Sequence, residues 1–110
     1  MAQKTLTPQI AKKYAKDYVL YMKEKHKLPV DSAYLFGSFA KGKSREWSDI
    51  DVCIVSPKFT GFKAMMDLWA KLRDIDTDRG IEPIAIHPDD FVDENPIAYQ
   101  VKHFGKLLKL

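Results

Sequence analysis

Three short apolar runs alternate with segments of helical periodicity, and that alternation points to a layered α/β architecture. The runs are residues 33–36 (Ala-Tyr-Leu-Phe), Ile50–Val55 and Ile81–Ile86. Their aromatic and β-branched content and short length mark them as buried strands. Gly37 ends the first and Pro57 closes the second. Thr7-Pro8 carries the signature of an N-cap followed by proline at the first helical position. Ile10, Ala11, Tyr14, Ala15, Tyr18, Val19 and Met22 then recur at helical spacing, and this helix should end near Lys27, before Pro29. Thr60-Gly61 opens a second long helix, whose stripe of Phe62, Met65, Met66, Trp69, Leu72 and Ile75 is expected in the core. A polar turn over residues 76–80 leads into the third strand. Asn95-Pro96 repeats the cap-plus-proline signature, and Ile97, Val101, Phe104 and Leu108 follow at helical spacing, with Gly105 placed to end the helix early. The expected order is helix, strand, short helix or turn, strand, helix, strand, helix, which makes an α/β (α+β) domain with a small sheet flanked by helices.

The 110 residues are enough for one domain with a real core and too few for two. A net charge of +3 permits an anionic ligand, but it does not by itself indicate nucleic acid. Cys53 is the only cysteine, so an intramolecular disulfide and a Cys-rich zinc site are both excluded. Its place within the second strand makes it a buried structural thiol. The first ten residues lack the layout of a signal peptide, and no apolar run reaches the length of a membrane span. A cytoplasmic protein with no membrane partner is the expectation.

The stretch LFGSFAKGKSREWSDIDV, residues 35–52, holds the chemistry. Residues two apart on a strand face the same side. Asp49 and Asp51 therefore project together, while Ile50 and Val52 point into the core. Two carboxylates at this distance repel, and a hard divalent cation would neutralise them, with water or phosphate oxygens completing its shell. An Asp-x-Asp pair alone is more simply a solvated strand end. Here it follows a Gly37-Ser38 turn that can cap a short helix and present free N–H groups to a phosphate. Glu82 adds a third acid in an otherwise apolar strand, on the face of Ile84 and Ile86, where a buried carboxylate is costly.

Gly37-Ser38, ten intervening residues and Asp49-x-Asp51 together resemble the signature of the DNA polymerase beta-like nucleotidyltransferase superfamily. GSFAKG…SDIDV is similar in detail to its minimal nucleotidyltransferase (MNT) branch, as are the IEPIAI strand, the Pro-Asp-Asp-Phe after it and the terminal NPIAYQVKHFG. The resemblance covers nearly the whole chain and implies a single domain over residues 1–110 with a small mixed sheet.

It implies phosphate binding by Gly37 and Ser38, with Lys41 standing where arginine is common. It implies metal binding by Asp49 and Asp51, with Glu82 in place of the usual third aspartate, as metal ligand or catalytic base. The reaction implied is transfer of a nucleoside monophosphate, AMP from ATP or another NTP, to a hydroxyl with two Mg²⁺ ions. Lys43 is placed either to neutralise phosphate charge or as a solvated surface lysine. Because the chain holds nothing beyond the catalytic core, a second subunit is expected. In the MNT branch that partner is a small helical HEPN toxin, the MNT protein being the antitoxin that modifies one of its tyrosines. The alternatives are a non-catalytic nucleotide- or toxin-binding module, and a homodimer acting on a small hydroxylated molecule. His87 can be read as a proton carrier, but a turn histidine is the plainer reading. Trp47, Tyr34 and Phe39 can stack on a base, although packing is the default for each.

Overall fold

The computed structural model describes residues 7–37 and 49–110. Helix α1 (Pro8–Lys25) starts at Thr7, whose hydroxyl accepts from the Ile10 N–H at 3.1 Å. It is followed by strands β1 (Ser32–Phe36) and β2 (Ile50–Val55), helices α2 (Lys63–Ala70) and α3 (Asp74–Asp78), and strand β3 (Ile81–Ile86). A 3₁₀ turn (Pro88–Asp90), helix α4 (Pro96–Phe104) and a two-residue strand β4 (Lys106–Leu107) complete it. The sheet order is β3-β2-β1-β4, with β2 parallel to β3 and the other pairs antiparallel. This is the mixed sheet flanked by helices that the alternating pattern and the resemblance imply.

Each face of the sheet has its own core. On one face Ala15, Tyr18, Val19 and Met22 of α1 and Leu68 of α2 pack on Leu35, Ile50, Val52, Ile54 and Ile81. On the other, Ala98 and Val101 of α4 cover Cys53, Val55 and Ile86. Cys53 is fully buried, and burial pushes its thiol up to about 12, so it is an inert packing group.

Three expectations are corrected. The second helix stops at Ala70 and most of its expected stripe is not core: Leu72 packs against the core, but of α2 only Leu68 is buried, and Phe62 is 85% exposed. Met66, Trp69 and Ile75 are also exposed. The helix lies along the outer edge of β3 rather than across a face. Trp69 Nε1–H donates to the Pro83 carbonyl at 3.1 Å, and the Ala85 N–H donates to Met65 Sδ at 3.1 Å. The polar turn over 76–80 is instead α3 and its C-cap. Its Asp76 is fully buried and accepts three bonds from Arg73: from N–H at 3.0 Å, Nε at 2.9 Å and Nη2 at 2.8 Å. Gly105 does end the last helix early, after Phe104, but Leu108 is not on it: Lys106 and Leu107 pair with β1 as β4, a strand too short to show a period. The short helix anticipated after the Gly-Ser turn lies outside the described residues.

Arg73 also donates to Asp17 of α1 at 2.9 Å, and Arg79 joins it there at 3.0 Å. Breaking a buried ion pair by removing one partner leaves the other charge uncompensated, whereas an exposed pair contributes little. Asp76→Ala should therefore lower unfolding stability by about 3 kcal/mol. Asp17→Ala should cost less than about 1 kcal/mol, because Asp17 is half exposed. Urea denaturation of the two variants gives both values.

Candidate active site

The register of the sheet builds the site. Phe36 of β1 lies opposite Asp51 of β2, and Asp51 lies opposite Glu82 of β3. These three residues form one row across the strands on the face that α4 covers farther along. Asp51 is only half-buried because that cover begins two residues later, at Cys53. Ile50 and Val52 are fully buried on the opposite face, as the alternation requires.

Asp49 stands just before β2, exposed, and close enough to Glu82 to raise its pKa. Gly37 follows Phe36 with φ +79°, a left-handed conformation open to glycine. A Cβ at Gly37 would run into Asp51 Oδ2. The bare backbone of the turn is thus pressed against the carboxylate.

These acids perturb one another. Burial, then the negative charge of Asp49, pushes the Asp51 carboxyl up to about 6. The hydrogen bond with Asp49, then burial and the charges of Asp49 and Asp51, push Glu82 up to about 7. Among the described residues no three His, Cys, Asp or Glu side chains, Asp49, Asp51 and Glu82 included, are grouped so as to hold a metal ion by themselves. Magnesium does not need such a group: it characteristically takes one or two carboxylates and fills its shell with water and phosphate oxygens. An all-oxygen donor set whose members repel each other suits such a hard cation.

Other expected residues fall elsewhere. Ser38, Lys41, Lys43, Phe39 and Trp47 lie outside the described residues. His87 follows β3 at the opposite end of the sheet, where its Nδ1 accepts from the Asp89 N–H at 3.0 Å and caps the 3₁₀ turn. Tyr34 packs on Phe91 with ring centroids 5.4 Å apart. Asp76, which also precedes β3, is committed to Arg73. Phe36 is the neutral end of the carboxylate row, set there by the β1–β2 register, which neither strand's own sequence encodes.

The chain belongs to the nucleotidyltransferase domain family, whose model matches residues 15–106. A protein of Sulfolobus solfataricus, solved as a candidate nucleotidyltransferase, shares the fold: TM-score 0.63, 18% identity, 97% of this chain and 90% of that one. A toxin-antitoxin structure with AMP-PNP aligns at TM-score 0.62 and 22% identity, over 86% of this chain and 72% of that one. No curated protein matches. Among the described residues no helix is long and apolar enough to cross a membrane.

Both perturbed carboxyls sit above their unfolded values, so the folded state binds their protons more tightly than the unfolded chain does. Their repulsion costs nothing below about pH 4, and stability falls as pH rises from there through about 7. In EDTA, Asp51→Asn should therefore melt a few degrees above the parent at pH 8 and level with it at pH 4, by calorimetry. A lower melting point at pH 8 would make the carboxylate structural.

Gly61 offers a control for Gly37, since its φ is also positive, +75°, with open space around it. Gly61→Ala should lose only backbone strain, about 1–2 kcal/mol. Gly37→Ala should lose more, and the excess should shrink in an Asp51→Ala background, measured as a double-mutant cycle.

Proposed function

We propose that this domain, acting over residues 1–110 as a single catalytic unit, transfers AMP from ATP to a hydroxyl on a partner protein. The partner proposed is the HEPN-type toxin of a HEPN/MNT pair, with this chain as antitoxin. One observation carries the reading: the β2–β3 register sets Asp51 opposite Glu82, with Asp49 beside them at the start of β2 and the bare Gly37 turn against Asp51. Family membership and the fold shared with a toxin-antitoxin structure containing AMP-PNP support it.

The chain's residues divide the work. Gly37, with Ser38 and Lys41 after it in sequence, would hold the triphosphate. Asp49, Asp51 and Glu82 would bind two Mg²⁺ ions, which when bound neutralise phosphate charge and acidify the acceptor hydroxyl. Glu82 would take the hydroxyl proton as the acceptor oxygen bonds to the α-phosphorus. The bond from that phosphorus to the pyrophosphate oxygen breaks, and pyrophosphate leaves.

The direct test is incubation with α-labelled ATP, Mg²⁺ and the product of the adjacent gene. Label should move to a tyrosine of that product; no transfer with any nucleotide or metal overturns the reading. If the protein neutralises by contact alone, a folded Asp49→Ala, Asp51→Ala variant will still protect cells. Glu82→Gln should slow single-turnover transfer by about 10²–10⁴-fold with ATP binding nearly unchanged. Glu82→Asp should be at least ~10-fold faster than Glu82→Gln, because it restores a carboxylate one methylene shorter. Equal rates for the parent and Glu82→Gln would remove Glu82 from the chemistry.

A further inference from the structure

The far end of the sheet carries a cavity that the proposed transfer does not use. It lies where β2 ends and β1 begins, at the opposite end of β2 from Asp51. The last turn of α1, the loop after β2 and helix α2 bound a volume of about 410 Å³, within the range of small-molecule pockets. Its lining has two chemistries. Met22, Phe59 and Leu68, buried members of the core, and half-buried Leu28 make an apolar floor. The rim is cationic, with Lys27 after α1, Lys58 in the loop and Lys71 at the C-cap of α2, and His26 beside Lys27.

Among the described residues Asp67 is the one carboxylate in this lining. The three lysines are exposed, and none forms an ion pair among the described residues. Arg73 and Arg79, by contrast, both meet Asp17, and Lys102 meets Asp93. The rim of this cavity therefore keeps an excess of positive charge over an apolar floor. A small inorganic anion would leave the floor wet, and a hydrocarbon would leave the ammonium groups without a counter-charge.

We propose that this cavity binds an amphipathic organic anion, an aromatic or aliphatic body carrying one acidic head. The body displaces water from Phe59 and Leu68, and the head lies among Lys27, Lys58 and Lys71. The site stands independently of the nucleotidyl-transfer reading, since no carboxylate of the active site takes part.

Two dyes with the same naphthylamine body separate the contributions: 8-anilinonaphthalene-1-sulfonate, which is anionic, and N-phenyl-1-naphthylamine, which is neutral. Fluorescence titration of the full chain should show one sulfonate dye bound per chain. Lys58→Glu, Lys71→Glu should weaken the sulfonate dye at least ~10-fold and the neutral dye by less than ~2-fold. The milder Lys58→Gln, Lys71→Gln should fall between, which guards against misfolding of the charge-reversed variant. Ala64→Phe, which fills the cavity from α2, should weaken both dyes at least ~10-fold. Far-UV circular dichroism and a cooperative urea transition establish that each variant is folded. Failure of the parent to bind the sulfonate dye, or affinity unmoved by both lysine variants, overturns the proposal. So does binding that survives Ala64→Phe, as it would for dye on the exposed Phe62, Met66 and Trp69.

Discussion

The parallel pairing of β2 with β3 is the constraint on which the rest depends. Strand side chains alternate, so a slip of one residue would turn Glu82 to the α1/α2 face and bring Ile81 or Pro83 to Asp51. The register is held by more than burial. Gly80 accepts from the Ile50 N–H at 2.8 Å and Ile86 from Ser56 at 3.1 Å, which fixes both ends of the ladder. The N–H and C=O groups of even-numbered residues of β3 thus point to β2, and those of odd-numbered ones point outward. Pro83 has no N–H to donate and falls in the outward set, where its ring costs no ladder bond. Its carbonyl and the Ala85 N–H are instead satisfied by Trp69 and Met65.

This edge cover explains why α2 looks like a core helix in sequence but is not one. Its aromatic and sulfur side chains seal a strand edge that would otherwise offer unpaired backbone groups to other chains. Sealing an edge uses only part of each side chain, so Trp69 and Met66 stay exposed while Leu68 alone is buried. The opposite face is arranged for a different end. Helix α4 covers Cys53 and Val55 and leaves Asp51 half-buried, so one strand passes from polar to fully apolar surroundings within a few residues. Acids placed at that boundary are desolvated enough to be perturbed and accessible enough to be reached.

What could be read in the sequence was what local chemistry writes. Thr7-Pro8 and Asn95-Pro96 satisfy helix N-terminal N–H groups within three residues, and both helices begin there. The strand cores at 50–55 and 81–86 were visible because burial on both faces needs unbroken apolar runs. Asp49, Asp51 and Glu82 were legible as exceptions inside those runs, although their meeting depends on a pairing that one strand cannot encode. Helix α3 was hidden for the opposite reason. Asp-Ile-Asp-Thr-Asp reads as a polar turn until Arg73 reaches across it, and the partner that orients Arg73 is Asp17, 56 residues away. β4 was hidden because two residues carry no period, and its bonds go to a strand near the start of the chain.

That hidden network also bears on the acids. Arg73 and Arg79 bracket α3 and converge on the same oxygen of Asp17, each with its guanidinium over a tyrosine of α1, Tyr21 and Tyr14 respectively. Helix α1 is in turn fixed to the sheet by Ala15, Tyr18, Val19 and Met22. The segment leading into β3 is therefore tied at both of its ends to an element packed on β2. From Arg79, one residue separates this clamp from Ile81 and two from Glu82. A row of acids that repel one another would tend to spread the two strands, most of all at the end where the row sits. The ion pairs that draw α3 onto α1 resist that motion at the same end of β3, so a charge network outside the site opposes the repulsion inside it.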